Sequence, residues 1–367
     1  MLFVNNYYIR AINQKKISMK ALFTLILGLA ITGNCFSQNI LAQAKPAGQD
    51  NWGYIDPSGK FVIEASYAKC HPFTKDGFAP IYEKKRKSFY FIDTKGKELA
   101  TDLKTFKLKN YMGFGTLGFQ EGLAMVQVGK NWGYLNTAGK LVIDAKYEKA
   151  HPFVDGHAAV KSGGTWVILD KEGKETAIDL KGALDVRKFS EGLAPIQSAD
   201  KLLGFVNAEG KVVIEAQFKA VGYFVDGLGY AKTSDGLVGY INQKGDWVIE
   251  AQFAKAGNFS KGDGFAKATQ GETKGFVSKD GKFHTLTDAD SFGNFHEGLA
   301  YGKKGGLVGF FNTKGTWVIK PTFQAVKKFK NGYARAKQND KWGFIDRTGK
   351  WAIEARFDGV KDFEKVN

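Results

Sequence analysis

The five histidines are the residues of this 367-residue sequence with the clearest capacity to bind a metal ion. His71 and His151 occupy equivalent positions in two "HPF" segments, which indicates a repeated sequence motif rather than a pair of metal ligands. His151 and His157 can approach each other across a turn, but the sequence offers no third ligand beside them. We therefore predict no metal site.

Two further segments resemble ligand-binding loops. The segment "GFGTLG", Gly113–Gly118, matches the G-x-G-x-x-G dinucleotide fingerprint, which functions only between a strand and a helix. Here it leads into "FQEGLAMV", which is typical of a strand, so we predict a flexible loop and no cofactor. The segment "DADSFGNFHEGL" resembles a calcium loop. However, Phe292 and Leu299 stand where such a loop needs oxygen ligands, and we reject that interpretation.

Acidic side chains recur at one predicted strand position along the chain: Glu64, Asp144, Glu215, Glu250 and Glu354. A catalytic pair of carboxylates should be unique to one copy of the repeat, whereas these acids recur at the same position in several copies. The sequence also contains no G-x-S-x-G or H-E-x-x-H motif. These observations predict solvated carboxylates, no catalytic residues and no enzymatic activity.

Three tryptophans form the candidate binding set. Trp247, Trp317 and Trp351 occupy a predicted strand position that is phenylalanine, leucine or valine in other copies of the same sequence motif. Exposed indoles could stack on sugar rings, whereas buried indoles would enlarge the core. The sequence leaves both alternatives open.

The elements that position these residues are defined by a repeated turn. Nine glycines recur at intervals of about 35 residues, the sequence signature of a repeat architecture. They are Gly59, Gly96, Gly139, Gly173, Gly210, Gly245, Gly281, Gly315 and Gly349. Aspartate, asparagine or serine stands three residues before each glycine. This pattern predicts nine type I turns.

Short alternating runs flank each turn and predict strands. The run "WGYID" precedes the first turn and "KFVIEA" follows it, which together predict a β-hairpin. A phenylalanine and an "EGLA"-type strand complete an antiparallel meander that must stack on its neighbours to bury its apolar face. We predict these structural anchors: Trp52, Gly53, Gly59, Trp132, Gly133, Gly139, Phe153, Phe295, Trp342, Gly343 and Gly349.

These repeated motifs resemble those of the WG-repeat family, which is named for the Trp-Gly pair at the start of its strand. The pair is complete at Trp52-Gly53, Trp132-Gly133 and Trp342-Gly343, and Trp166-Val167 keeps only the tryptophan. The "EGLA" and "KPTF" elements also resemble the family's pattern over roughly residues 41–367. The resemblance implies a bacterial, often exported, β-rich array and assigns it no general activity.

The predicted fold is all-β, a tandem array of about nine antiparallel β-meander repeats that forms a curved open solenoid. Nine short units are more numerous than the four to eight blades of typical propellers. The alternative is a closed, propeller-like ring. In that alternative the N-terminal segment "ILAQAK", which resembles the strand "GYARAK", joins the last unit.

The chain divides into three predicted regions. Residues 1–37 form a secretory signal peptide, with Met19 as a candidate true start and the apolar run "ALFTLILGLAITG" as its core. Residues 38–51 are a lead-in with a candidate first strand, and residues 52–367 are the repeat array, with an insertion near 100–118. A lipid anchor on Cys35 is the alternative at the cleavage site. Cleavage leaves Cys70 alone, so we predict no internal disulfide.

The predicted partners follow from charge and export. Removal of the signal lowers the formal net charge from +16 to +12, because four basic residues and no acidic residue are lost. A basic exported protein meets anionic envelope polymers more readily than nucleic acid. Because the lysines are spread one or two per repeat, a solvated surface and an anion-binding stripe are both open.

We predict a non-catalytic monomer, periplasmic, on the cell surface or secreted, that binds an envelope glycan or protein. The predicted mature chain has no transmembrane segment and no nucleic-acid partner. The alternatives are a carbohydrate-active enzyme or its accessory domain, and a structural spacer.

Overall fold

The computed structural model describes residues 39–111, 115–116 and 118–366. These residues form strands, turns and loops and contain no helix, which confirms the all-β class. No helix that could cross a membrane occurs in this part of the chain. The predicted signal peptide, Cys35 and part of the "GFGTLG" segment lie outside the described residues. Within that segment, Gly115–Thr116 is a strand that pairs with Asn110–Tyr111.

The described strands group into nine antiparallel units, which we number in chain order. Units 1 to 3 contain Ile40–Pro46, Trp52–Ile55 and Phe61–Tyr67; Ala79–Glu83 and Ser88–Ile92; and Lys107–Leu108, Asn110–Tyr111, Gly115–Thr116, Phe119–Gln120, Leu123–Val128, Asn131–Asn136 and Leu141–Tyr147. Units 4 to 6 contain Lys149–Ala150, His157–Ser162, Thr165–Asp170 and Glu175–Ala177; Asp185–Val186, Leu193–Gln197, Leu203–Asn207 and Val212–Phe218; and Ala220–Val221, Gly229–Lys232, Val238–Ile241 and Trp247–Phe253. Units 7 to 9 contain Lys255–Ala256, Phe265–Gln270, Thr273–Ser278 and Phe283–Thr285; Ser291–His296, Leu299–Lys304, Leu307–Asn312 and Trp317–Phe323; and Ala325–Lys330, Tyr333–Gln338, Lys341–Ile345 and Trp351–Val360.

Units 4 to 8 are four-stranded sheets rather than the three-stranded meanders expected from the sequence. In units 4 to 7 the additional strand precedes the repeat phenylalanine and is only two residues long, as at Lys149–Ala150, whereas in unit 8 it includes Phe295. A two-residue strand is too short to show an alternating pattern. We call it the first strand of its unit.

The nine predicted turns are confirmed as hydrogen-bonded turns. At the first of them, the amide of Gly59 donates to the carbonyl of Asp56 over 2.9 Å, and the equivalent bond occurs in all nine. The Asp56 carboxylate also accepts a bond from the amide of Ser58 over 2.9 Å. The φ angle of Gly59 is +79°, a conformation that side chains with a Cβ rarely adopt.

The hydrophobic core lies between consecutive units, as stacking of repeats requires. One buried cluster joins Tyr134 and Ile143 of unit 3 to Phe153 and Leu169 of unit 4. The predicted anchors Phe153 and Phe295 are 1% and 2% exposed. The tryptophan of the Trp-Gly pair is half-buried and packs against these inter-unit clusters, as Trp132 does.

A series of carboxylates links the "EGLA"-type turns of consecutive units. The Glu121 carboxylate accepts bonds from the amides of Asp155 and Gly156, over 2.7 and 3.0 Å. Asp155 in turn accepts from the amide of Gly192 over 2.9 Å. The same contact to an amide of the next turn is made by Asp76, Glu191, Asp226, Asp263 and Glu297. We call these seven contacts the turn ladder.

The N-terminal strand pairs with the C-terminal end of the chain. Ala44 of Ile40–Pro46 is the partner of Gly53 on one side and of Val360 on the other. Ile40 and Leu41 pair with the last strand, Glu364–Lys365. Units 9 and 1 therefore share one eight-stranded sheet, in which the end of Trp351–Val360 and the strand Glu364–Lys365 together take the place of the first strand of unit 1. This contact is the one that the closed-ring alternative requires.

Candidate functional site

A cavity of about 1230 Å³ lies at the junction of the two chain ends. Its walls come from units 8, 9, 1 and 2, mainly from their first strands and the adjoining loops. We call it the junction cavity. Because its walls come from both ends of the chain, this site exists only when the first and last units are paired.

The charge of the junction cavity is strongly positive. Seven basic side chains line it, against two acidic ones, Asp362 and Glu364. Both acids are already paired, Asp362 with Arg335 at 2.5 Å and Glu364 with Lys330 at 2.6 Å. The remaining five lysines form no ion pair within the described part of the chain: Lys69, Lys303, Lys327, Lys328 and Lys361. These five lysines are all exposed to solvent, so the cavity offers uncompensated positive charge whose attraction for an anion is screened by salt.

Two buried polar side chains line the same cavity without complete hydrogen bonding. Gln43 and His71 are 3% and 7% exposed. Among the described residues the Oε1 atom of Gln43 and the Nε2 atom of His71 have no hydrogen-bond partner. Buried polar atoms are nearly always paired, so each unpaired atom requires an explanation.

Neighbouring contacts fix the positions of both side chains. The Nε2 group of Gln43 donates to the carbonyl of Cys70 over 2.7 Å. The backbone carbonyl of His71 accepts a bond from the Tyr54 hydroxyl over 2.7 Å, and its amide donates to Pro80 over 3.0 Å. Equivalent tyrosine-to-carbonyl bonds occur in units 3 and 6, so the repeat itself positions this segment.

The electrostatics of the cavity keep its imidazoles neutral. Burial, together with the positive charges of Lys69 and Lys361, lowers the pKa of His71 to about 4. Burial and the charge of Lys328 also lower the pKa of His296. At neutral pH the His71 ring therefore carries one donor and one acceptor nitrogen and no charge.

An aromatic wall completes the cavity. The half-buried indole of Trp52 lines it, and the ammonium of Lys361 lies 5.9 Å from the centre of this ring. The backbone amide of Lys361 donates to the carbonyl of Gln43 over 2.9 Å. Trp52, Lys361 and Gln43 thus belong to one connected group that mixes apolar, positive and neutral polar surfaces.

The structure places the three candidate binding tryptophans apart, outside the junction cavity. Each is half-buried at a contact with a phenylalanine ring: Trp247 with Phe218 at 5.8 Å, Trp317 with Phe311 at 5.7 Å and Trp351 with Phe323 at 5.5 Å. Trp247 and Trp351 pack against the buried clusters that join consecutive units. A binding role for these indoles stays a prediction.

The other residues singled out in the sequence are dispersed. The five repeat acids are all exposed. His151 packs against Trp166, whereas His157 contacts the carbonyl of Asp155 over 2.9 Å. In the described part of the chain, no group of three or more His, Cys, Asp or Glu side chains is placed to hold a metal ion. Cys70 is buried and forms no disulfide with another described residue.

The junction cavity was not predicted from the sequence, although one signal for it is present. Two residues before the repeat phenylalanine, units 6, 7 and 8 carry glycine, at Gly222, Gly257 and Gly293. At the same position the other units with this spacing carry a basic residue or histidine: His71, His151, Arg187, Lys327 and Lys361. Three of these five residues line the cavity. If the repeats had been aligned and compared at this one position, instead of the lysines being counted along the chain, the sequence would have indicated where the positive residues converge.

The chain belongs to the WG-repeat family. The sequence profile of the WG containing repeat matches residues 52–85, 132–166, 204–236, 239–273, 309–342 and 342–365, which together make up more than half of the chain. The match confirms the resemblance seen in the sequence. A comparison with curated proteins finds no match.

Solved structures show partial similarity to this chain. The computationally designed Ika8 protein is 14% identical with a TM-score of 0.40, over 66% of this chain and 87% of that one. BamB from Moraxella catarrhalis is 11% identical with a TM-score of 0.36, over 66% and 80%. The dihydro-heme d1 dehydrogenase NirN in complex with DHE is 11% identical with a TM-score of 0.43, over 89% and 75%.

Proposed function

We propose that this protein is an exported, non-catalytic binding protein whose junction cavity holds an anionic polymer of the cell envelope. The observation that carries the proposal is the convergence of seven basic side chains on one cavity whose two acids are both in ion pairs. The sequence supports export through the predicted signal peptide, residues 1–37. A basic cavity in an exported protein favours an anionic glycan over the protein partner that the sequence left open.

The absence of catalysis is part of the proposal. General acid–base chemistry needs a carboxyl group available to exchange a proton with a substrate. In the cavity, Asp362 is bonded to Arg335 and Glu364 to Lys330, so both carboxylates are already committed to ion pairs. The neutral His71 and His296 have no carboxylate partner among the described hydrogen bonds that would orient them as a base.

Retention of the protein on envelope material tests the proposal. Purified protein would be incubated with isolated bacterial envelope and with immobilised polyanionic glycans, at low and high salt. We expect retention at low salt that weakens as salt is added, because the attraction is electrostatic.

A matched pair of variants locates the contact. Lys327 and Lys328 lie in the cavity, and changing both to glutamine should weaken retention about tenfold, which corresponds to ~1.4 kcal/mol. The control changes Lys211 and Lys244 to glutamine, which removes the same charge from two exposed turns outside the cavity lining. Equal losses in the two double variants would contradict a cavity site, and no retention of the unmodified protein would contradict the proposed function.

A further inference from the structure

We propose that the first strands of units 3, 4 and 5 form a second anion-binding surface, so that one anionic polymer chain contacts this surface and the junction cavity together. This inference rests on the proposed function. It adds a second binding site and requires a ligand long enough to reach both places.

The position two residues before the repeat phenylalanine continues from the junction cavity into these units. At this position the amide of His71, in the cavity wall, donates to the Pro80 carbonyl of the second strand over 3.0 Å. The same bond is made over 3.1 Å by His151 in unit 4 and over 2.9 Å by Arg187 in unit 5. In unit 3 the register of the first strand places Lys109 there. We call it the shared position.

Positive charge is concentrated around the shared position in units 3 to 5. In residues 107–109, 149–151 and 185–188, five residues are lysine or arginine and one, Asp185, is acidic. The five basic residues, which we call the second surface, are Lys107, Lys109, Lys149, Arg187 and Lys188. Of these, Lys107, Lys149 and Lys188 are exposed and form no ion pair in the part of the chain that the structure describes. The second surface therefore shares the excess of exposed positive charge that characterises the junction cavity.

The side chains of the three units are close enough to act on one another. The His151 ring stacks on Trp166 with ring centres 5.9 Å apart, and the ammonium of Lys149 lies 5.9 Å from the centre of the same indole. Burial and the charge of Lys109, followed by those of Lys188 and Lys149, lower the pKa of His151 to about 3. Because Lys109 belongs to unit 3 and Lys188 to unit 5, the second surface is one patch rather than three separate charges.

Units 6, 7 and 8 carry glycine at the shared position, and two of these glycines lie against a tyrosine ring. A Cβ atom at Gly222 would lie 2.4 Å from Cδ1 of Tyr230, and one at Gly293 would lie 2.0 Å from Cε1 of Tyr301. A basic side chain cannot share this space with the ring. In unit 4 the equivalent second-strand residue is Ala159, which leaves room for the histidine. Basic residues and histidines at the shared position are therefore confined to units 9 and 1 to 5, which follow one another across the paired chain ends.

The junction cavity and the second surface lie on consecutive units. Unit 2 contributes to the cavity wall. Buried clusters join it to unit 1 through Ile63 and Ile92, and to unit 3 through Phe91 and Leu135. A polymer chain bound in the cavity therefore meets the second surface at a high effective concentration, and each contact strengthens the other. A short anion fills one place and gains nothing from the other.

Calorimetric titration of the purified protein with size fractions of polyphosphate provides the test. Exposed lysines attract a phosphate chain as they attract any other polyanion. Fractions too short to reach both places should bind weakly, with two chains per protein. Long fractions should bind with one chain per protein and about a hundredfold more tightly, because their two contacts are linked.

A matched pair of variants locates the second contact. Changing Lys149 and Lys188 to glutamine should reduce the number of bound short chains from two to one and weaken long chains about tenfold. The control changes Lys211 and Lys244 to glutamine, which removes the same charge from exposed turns outside both places and should change neither quantity. All four side chains are exposed, so none of these changes should alter folding.

The outcomes distinguish this inference from the proposed function. A single short-chain site that the changes at Lys149 and Lys188 leave intact, with long chains weakened no more than in the control, would overturn the second surface and leave the junction cavity as the anion site. Retention on envelope material without binding of polyphosphate of any length would also overturn the inference alone. Binding to neither polyphosphate nor envelope material would overturn the proposed function as well.

Discussion

The glycine of the Trp-Gly pair lies where two backbones approach too closely for a side chain. A Cβ atom at Gly133 would lie 2.5 Å from the carbonyl oxygen of Ile143, and one at Gly343 would lie 2.4 Å from that of Ile353. Strand pairing is irregular at these glycines, with a bulge on the opposite strand. Pairing at this position is regular both in unit 4, where Val167 replaces the glycine, and in unit 7, which keeps it. At Gly133 and Gly343 the glycine is therefore required by the close approach of the opposite strand.

Substitution of one such glycine tests this role. Gly133→Ala should destabilise the fold by about 1–3 kcal/mol, because the strands must separate to admit the methyl group. Thermal unfolding followed by circular dichroism measures the change. The matched control is Gly257→Ala, where an added Cβ meets no atom within 4 Å and φ is not positive. Similar midpoints for the two variants would show that the bulge tolerates a side chain.

Single residues also show how far the sequence predicts the site. The sequence contained no functional signal for Gln43 and placed His71 only in a repeated motif, because burial and unpaired atoms arise from tertiary contacts between units 1 and 2. The three tryptophans were predicted as binding candidates because they are large and recur at one position, yet they lie at packing contacts, two of them between units. The lysines seemed evenly spread because the folded chain brings together residues separated by nearly the whole sequence, such as Lys69 and Lys361.

At the scale of elements, the turn ladder explains why the "EGLA" motif begins with an acidic residue. Glu121 has a φ of +54° and Glu191 a φ of +53°, a conformation that is uncommon for residues other than glycine. Consecutive positive φ angles are typical of a type I′ turn, which matches the twist of a β-hairpin. The carboxylate then reaches the amides of the next turn, so that one residue both shapes its own hairpin and binds the following unit.

The turn ladder predicts a defined dependence of stability on pH. Burial opposes ionisation of Glu121, but the amides of Gly156 and Asp155 and the ammonium of Lys171 outweigh burial and lower its pKa below the ordinary 4.5. A lowered folded-state pKa contributes stability above about pH 4.5, and this contribution is lost as the pH falls through the folded-state value. Glu121→Gln should therefore cost about 1 kcal/mol at pH 7 and less at pH 3.

Denaturant titrations at the two pH values measure this difference. The matched control is Glu172→Gln, which removes one carboxylate from an exposed turn position in the adjacent unit. A penalty for Glu121→Gln that is the same at both pH values would contradict a role for the ionised carboxylate.

The elements differ in how well local sequence predicts them. The nine turns and their hairpins were predicted correctly because each is specified by residues within about ten positions of one another. The short first strands were missed because two residues carry no periodic signal. The turn ladder was also missed, since its bonds join residues 34 to 46 positions apart, beyond the reach of a local sequence pattern.

At the scale of the whole repeat array, the pairing of the chain ends connects stability with the site. Ile40–Pro46 inserts between Trp52–Ile55 and the end of Trp351–Val360, and its residues 40–44 are buried. Asn331 extends the inter-unit contacts across this junction, because its side-chain amide donates to the carbonyl of Phe363 over 2.8 Å. The sequence allowed an open array or a ring, since a strand pattern does not specify its partner strand.

Disruption of this pairing is expected to open the junction and abolish the cavity together. Ala44 is 0% exposed between Gly53 and Val360, so Ala44→Glu would bury a charge without a partner, at a cost of several kcal/mol. The buried charge reaches solvent only if Ile40–Pro46 separates from a neighbouring strand. We therefore expect a lower thermal midpoint, a larger radius of gyration in small-angle scattering and loss of anion binding.

Lys45→Gln is the matched control, because Lys45 is the next residue of the same strand but is only half-buried. It should change none of the three measurements appreciably. If Ala44→Glu retained the scattering profile and the binding of the unmodified protein, the two ends would be independent of the site, and the array would have to hold its cavity without closure. If instead the radius and binding changed together while units 4 to 7 stayed folded by hydrogen exchange, the N-terminal strand would be identified as the element that completes both the fold and the site.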